Sequence, residues 1–236
     1  MKKIVAMICI LLSVQTFSQT DKNNIVKTNV TAYAFRNINL TYERVLSKRF
    51  SITAGFGTMP KGSIPFASTY LKDTEVKDPQ VALTNFTVET RIYLGEGYGK
   101  GFYIAPYYRY TSVNAENATI TMDYTTTPDP TKISGKATGN SAGLLLGAQW
   151  FFGSSKNWVI DWWIIGGHYG AGSGDFRANS SRPLTAQEQQ ELKKEIDDLN
   201  IPMVKYTTTT DANGADVKMD GPWAGFRSGL SVGYRF

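Results

Sequence analysis

Trp223–Phe236 reads WAGFRSGLSVGYRF and alternates along its whole length. Successive side chains of a strand point to opposite faces. Ala224, Phe226, Ser228, Leu230, Val232, Tyr234 and Phe236 therefore share one face, while Gly225, Arg227, Gly229, Ser231, Gly233 and Arg235 share the other. The first face suits hydrocarbon and the second a wet, crowded interior. A half-buried strand of a soluble sheet would alternate too, but it has no reason to finish inside the strand on Phe236. The stretch reads as one stave of a transmembrane β-barrel.

The other end agrees. Lys2 and Lys3 precede an apolar run, Ile4 to Val14, and Thr16 and Ser18 place small residues before Gln19. That is the pattern of a secretory signal peptide over residues 1–18, leaving 19–236 as the mature chain. The run is shorter than the ~20 residues a spanning helix needs. The only cysteine, Cys9, departs with the peptide. Disulfides, zinc-thiolate sites and thiol catalysis are thereby excluded from the mature chain. The formal net charge of +5 is dispersed, and with no basic helix or basic-aromatic motif it does not indicate nucleic acid. Asn-x-Ser/Thr triplets at Asn29, Asn39, Asn85, Asn117 and Asn179 are read as compositional.

Period-2 alternation and turn signals predict eight strands: Lys27–Phe35, Ile38–Leu46, Phe50–Met59, Leu83–Leu94, Phe102–Val113, Ser141–Phe152, Trp158–His168 and Trp223–Phe236. The connections Ser47–Arg49, Gly95–Gly101 and Gly153–Asn157 are short, whereas Pro60–Ala82, Asn114–Asn140 and Tyr169–Pro222 are long. Short periplasmic turns and long extracellular loops place both chain ends in the periplasm. The link around Arg36 and Asn37 is a tight outer exception.

Parity orders the faces. Even positions are apolar, among them Ile38, Leu40, Phe56, Phe86, Leu144, Trp150 and Trp162; odd positions carry Glu43, Glu89, Arg91, Arg109, Asp161, Arg227 and Arg235. An isolated charge in a narrow lumen is costly, while paired charges are tolerated. Glu43, Glu89 and Asp161 are therefore expected to meet some of Arg91, Arg109 and Arg227 in a structural network. Tyr33, Tyr103, Tyr107, Gln149 and Trp163 are expected to fill the rest of the lumen. Arg44 and Thr90 have lipid-side parity, and Pro106 removes a ladder bond.

The last long loop holds TAQEQQELKKEIDDLN, where Thr185 and Glu188 form a capping box and Leu192, Ile196 and Leu199 share a helical face. A helix is expected there, as a lid on the rim or as a partner-binding element. Beyond it, Asn213-Gly214 signals a type I′ hairpin. Asp211, Asn213 and Asp216 are explained by that turn and need no calcium ion.

The chain resembles the Bacteroidete-type small outer-membrane β-barrel proteins that carry a domain of unknown function. PLTAQEQQELKKEIDDLNIP and DGPWAGFRSGLSVGYRF carry the likeness most specifically, and Tyr234 with Phe236 resembles the C-terminal insertion signal of outer-membrane proteins. More distantly the architecture is similar to the membrane domain of OmpA, although no peptidoglycan-binding domain is expected after Phe236. The resemblance implies an outer-membrane location, contact with lipid and lipopolysaccharide, insertion by the barrel-assembly machinery, and no established activity or cofactor.

The sequence therefore leads to an all-β, eight-stranded antiparallel transmembrane β-barrel with long extracellular loops and one short helix. The expected role is non-enzymatic: structural, in surface recognition, or as a subunit held by an outer-membrane protein partner. One alternative is an enzyme acting on lipopolysaccharide acyl chains, built on His168, Ser173 and Asp175 if Gly166–Gly174 folds back. Another is a narrow diffusion pore, disfavoured because side chains fill a lumen of this strand number.

Overall fold

Alternating segments pair into one continuous antiparallel ladder. The computed structural model describes residues 22–66, 77, 79–122, 129–198 and 202–236; the expected signal peptide and Leu199 lie outside these. The strands are β1 (Asn24–Asn29), β2 (Ile38–Val45), β3 (Phe50–Ser63), β4 (Gln80–Tyr93), β5 (Gly101–Met122), β6 (Asp129–Phe152), β7 (Trp158–Asn179), β8 (Lys205–Asp211) and β9 (Gly214–Arg235). One helix, α1 (Ala186–Asp197), and a 3-10 turn, Thr31–Phe35, complete the described elements. Each strand pairs with the next up to β7, which pairs with β9, and β9 returns to β1. Hydrogen bonds thus run in a ring through eight of the nine strands, with β8 attached only to the outer half of β9.

β1 stops six residues earlier than expected. Asn29 Oδ1 accepts from Thr31 Oγ1 at 2.6 Å and Ala32 N at 3.0 Å, an Asn-led turn that competes with the ladder. Tyr33 is consequently not a lumen filler; it is 46% exposed, with its hydroxyl 2.5 Å from Thr28 Oγ1.

Two expected loops hold long stretches of strand. β5 and β6 stay paired from Val113↔Ala137 out to Met122↔Asp129, and β7 and β9 stay paired out to Asn179↔Gly214. Gly, Ala, Asn and Thr are frequent in these arms and no apolar parity runs through them, so only the backbone ladder marks them as strand. The hairpin turn is also displaced. Asp211 pairs with Gly214, so Ala212 and Asn213 form the turn, and of the three only Gly214 has a positive φ, 139°. A type I′ turn needs positive φ at both central residues.

One irregularity changes the reading of a face. The β6–β7 register passes from Leu146↔Ile165 to Gly147↔Trp163, which leaves Ile164 as an extra residue. A bulge of one residue reverses the parity beyond it. Ile165 and Tyr169 point outward at 57% and 62% exposure, and His168, expected to face lipid, turns inward to lie 3.1 Å from the Tyr107 hydroxyl through Nδ1. Opposite Pro106 the β4–β5 ladder lapses between Glu89↔Tyr107 and Ile92↔Ile104. Arg44 donates to Asn24 Oδ1 at 2.7 Å near the short-turn end.

The interior is layered. At the short-turn end Ile25, Val45 and Val159 form an apolar plug with Phe151. Charged side chains lie beside a second cluster, in which Tyr93, Tyr103, Ala105, Tyr107 and Leu145 pack with Trp163, and the Tyr93 and Tyr103 hydroxyls reach into the charged level. β6 makes room for these rings: a Cβ on Gly147 would sit 2.4 Å from the Tyr103 ring, and one on Gly143 would sit 2.6 Å from that of Tyr107. Outside the ring, α1 lies on the arms, with Leu192 buried among Ala178, Leu184 and Ala215 and with Ile196 packed alongside.

Candidate functional site

The buried charges converge on one level of the ring. Lys27 leaves β1 at an inward position, and its Nζ donates to Glu43 Oε2 of β2 at 2.5 Å, to Asp161 Oδ2 of β7 at 2.7 Å and to Gln149 Oε1 of β6 at 2.7 Å. Arg91 of β4 completes the level. Its Nη1 reaches Asp161 Oδ2 at 2.8 Å and Glu43 Oε2 at 3.3 Å, while Nη2 reaches Glu89 Oε2 at 3.1 Å. Neutral donors take remaining carboxylate lone pairs: Ser51 Oγ and Tyr93 OH on Glu43 Oε1 at 2.6 and 2.8 Å, and Tyr103 OH on Asp161 Oδ1 at 2.7 Å. Gln149 Nε2 in turn donates to Gly99 O at 2.7 Å, tying the network to the β4–β5 turn. Burying such charges is tolerable because each is matched and hydrogen-bonded.

The expected residues are only partly brought together. Glu43, Glu89, Asp161 and Arg91 form the network, and Arg227 joins through Nη2 to Glu89 Oε1 at 2.8 Å. Arg109 does not join; among the described residues it makes no ion pair, and its Nε reaches Thr111 Oγ1 at 3.4 Å. Sequence reasoning missed Lys27, which is 1% exposed and bonded to two of the three acids. Its odd parity in the first strand was a usable signal.

Above the network lies a cavity of about 400 Å³, with Glu89, Arg109 and Arg227 in its wall beside Asn29, Asn39 and Asn85. The Arg227 guanidinium lies over the rings of both Tyr107 and Trp163, 4.6 Å from each ring centroid.

Other candidate chemistry is dispersed. His168, Ser173 and Asp175 all lie on the extended strand β7, and the Gly-rich segment does not fold back. Five residues of strand separate His168 from Ser173 by about 17 Å. Asp211 and Asp216 are bridged by Arg177, whose Nη2 and Nη1 reach them at 2.9 Å each. The Arg177 hydrogen bond holds the Asp211 carboxyl below its usual range, assisted by the Asn213 amide. Among the described residues no cluster of three His, Cys, Asp or Glu is placed to hold a metal ion. Tyr234 and Phe236 are exposed at the short-turn end, where Asn157 Nδ2 donates to Tyr234 OH at 2.7 Å.

Fold and interior define a class: an antiparallel sheet closed through eight strands around buried, ion-paired side chains. Residues 5–194, most of the chain, match the family described as "Protein of unknown function (DUF3575)", and the chain belongs to that family. The matched region stops short of β9. A comparison with curated proteins finds no match.

Proposed function

We propose that this chain is a non-enzymatic outer-membrane β-barrel whose closed ring crosses the bilayer, and whose arms and α1 carry its specific role outside the cell. That role is envelope integrity, surface recognition or membership of a larger outer-membrane assembly. The observation that carries the reading is an inverted distribution of polarity. Ile38, Leu40, Phe56, Phe86, Leu144, Trp150 and Trp162 are exposed on the outer face, while Lys27, Glu43, Glu89, Arg91 and Asp161 are at most 3% exposed inside. Water would penalise so large a continuous apolar surface, and hydrocarbon would not. Near the short turns Phe102 contacts Trp150, and Trp158 contacts both Phe152 and Tyr234, as members of an interfacial aromatic girdle would. β6 has 24 residues against the 9–11 that cross a bilayer, so the arms would project well beyond it.

Lipid and lipopolysaccharide then surround the ring, the barrel-assembly machinery inserts it, and an outer-membrane protein is the candidate partner of the arms. Membrane fractionation with heat-dependent gel mobility tests the location. Recovery in the soluble fraction, with no mobility change on boiling, overturns it. Deleting residues 184–201 should keep insertion while removing partner capture or envelope robustness; unchanged partners and robustness count against a role for α1.

The acyl-chain enzyme has little geometric support, because His168 bonds to Tyr107 and lies far from Ser173. Lipid A profiles from cells with the parent and with His168→Ala decide it, identical profiles ending the idea. The pore reading meets an interior blocked by Tyr93, Tyr103, Arg91 and Gln149, each at most 1% exposed. Large, stable single-channel currents would revive it.

A further inference from the structure

The network and cavity hold unequal charge: Lys27, Arg91, Arg109 and Arg227 stand against Glu43, Glu89 and Asp161, four cations to three carboxylates. The excess is localised. Lys27 and Arg91 are fully engaged below, whereas Arg227 uses only Nη2, on Glu89. Its Nε and Nη1 are buried without a hydrogen-bond partner among the described residues, although only 7% of the side chain is exposed. Tyr107 and Trp163 hold the guanidinium plane in place. Arg109 lines the same cavity with no ion pair, and Thr53 Oγ1 on the cavity wall is likewise unpartnered among the described residues. Buried donors without partners and a like-charged pair are each costly, and a bound anion relieves both.

The cavity also reaches a gap in the wall. β1 pairs with β9 only from Ile25↔Arg235 to Asn29↔Ser231, and β8 pairs with it only from Asp220 outward. Between Gly221 and Gly229 that edge of β9 has no strand partner among the described residues. Thr31 and Phe35 of the 3-10 turn and Phe226 and Ser228 of β9 border both the gap and the cavity. The lip carries two exposed aromatic rings beside the two hydroxyl residues: Phe226 is 87% exposed and Phe35 54%.

We propose that the cavity binds an amphiphile with an oxyanion headgroup, a carboxylate or phosphate, the headgroup held by Arg109 and Arg227 and the apolar chain leaving through the gap beside β9. A lipid-phase source for that amphiphile rests on the membrane reading above; the oxyanion pocket does not. At about 400 Å³ the cavity falls within the size range of small-molecule sites.

The test uses the folded mature chain in an uncharged maltoside detergent, with tryptophan fluorescence and calorimetry as readouts. Laurate and dodecyl phosphate should bind saturably. Dodecanol should not, and acetate and inorganic phosphate should bind at least tenfold more weakly. Arg109→Gln should weaken laurate at least tenfold with heat-dependent mobility retained. Ser228→Trp, which fills the mouth and spares both arginines, should also weaken it and keeps the test decisive if the arginine variant fails to fold. Dodecanol binding as tightly as laurate, or laurate binding unaffected by the variants, overturns the site. Acetate or phosphate binding as tightly as laurate overturns the amphiphile and its route through the gap, while fractionation tests the membrane location separately.

Discussion

At the scale of single residues, the interior is governed by which charges are matched. Lys27 bridges Glu43 and Asp161 with all three side chains essentially sealed from solvent. Replacing it by Met leaves two carboxylates sharing Arg91 as their one cation among the described residues, and breaking such a pair costs about 3–5 kcal/mol. Lys27→Met should therefore lower the midpoint of the heat-induced gel-mobility change markedly; an unchanged midpoint would show that the network contributes no stability. Arg109 should behave in the opposite way. Having no ion pair among the described residues, Arg109→Ala leaves no carboxylate stranded and removes an excess positive charge, so its cost should be about 1 kcal/mol or less on the same assay. A loss as large as that of Lys27→Met would place Arg109 back in the network.

At the scale of elements, α1 depends on its first turn. Thr185 Oγ1 accepts from Glu188 N at 3.3 Å and Glu188 Oε2 accepts from Thr185 N at 2.8 Å, a reciprocal capping box. Thr185→Ala should cost about 1 kcal/mol of local helix stability, read as faster amide exchange in α1 with unchanged exchange in the ring. The hydrogen bond from Arg182, then that from the Thr185 amide, lowers the Glu188 carboxyl from 4.5 to about 2. A depressed folded value means the contribution is complete above pH 4.5 and is lost as pH falls through about 2. Exchange in α1, corrected for intrinsic rates, should accelerate across that window in the parent and not in Glu188→Gln. Equal profiles would remove Glu188 from the account.

At the scale of the whole molecule, the outer face decides what medium surrounds the ring. Leu144 is 56% exposed on β6. In a water-surrounded ring Leu144→Arg would be near neutral, within about 0.5 kcal/mol. In a bilayer the same change costs about 2–4 kcal/mol near the midplane. Refolding into lipid vesicles followed by urea titration should show the larger loss, and a neutral result would contradict the membrane proposal. Gly147 offers an internal control. A side chain there meets the Tyr103 ring and Trp162 O, so Gly147→Val should destabilise the ring in lipid and in detergent alike.

What the sequence by itself determined is the product of local geometry. Period-2 alternation exposed the two faces, the short turns at Ser47–Arg49, Gly95–Gly101 and Gly153–Asn157 ordered the strands, and the Thr185–Glu188 pair marked α1. Each signal is complete within about a dozen residues. Only the tertiary structure decided that Lys27 sits between Glu43 and Asp161, the latter 134 positions away, that Arg109 is left aside, and that one edge of β9, the edge away from β7, has no strand partner past the 3-10 turn among the described residues. Those outcomes depend on the relative register of distant strands, and one extra residue at Ile164 was enough to turn His168 from the outer face to the inner. A strand's sequence records which faces it has; which partner each side chain meets is set by where the closed ladder places the others.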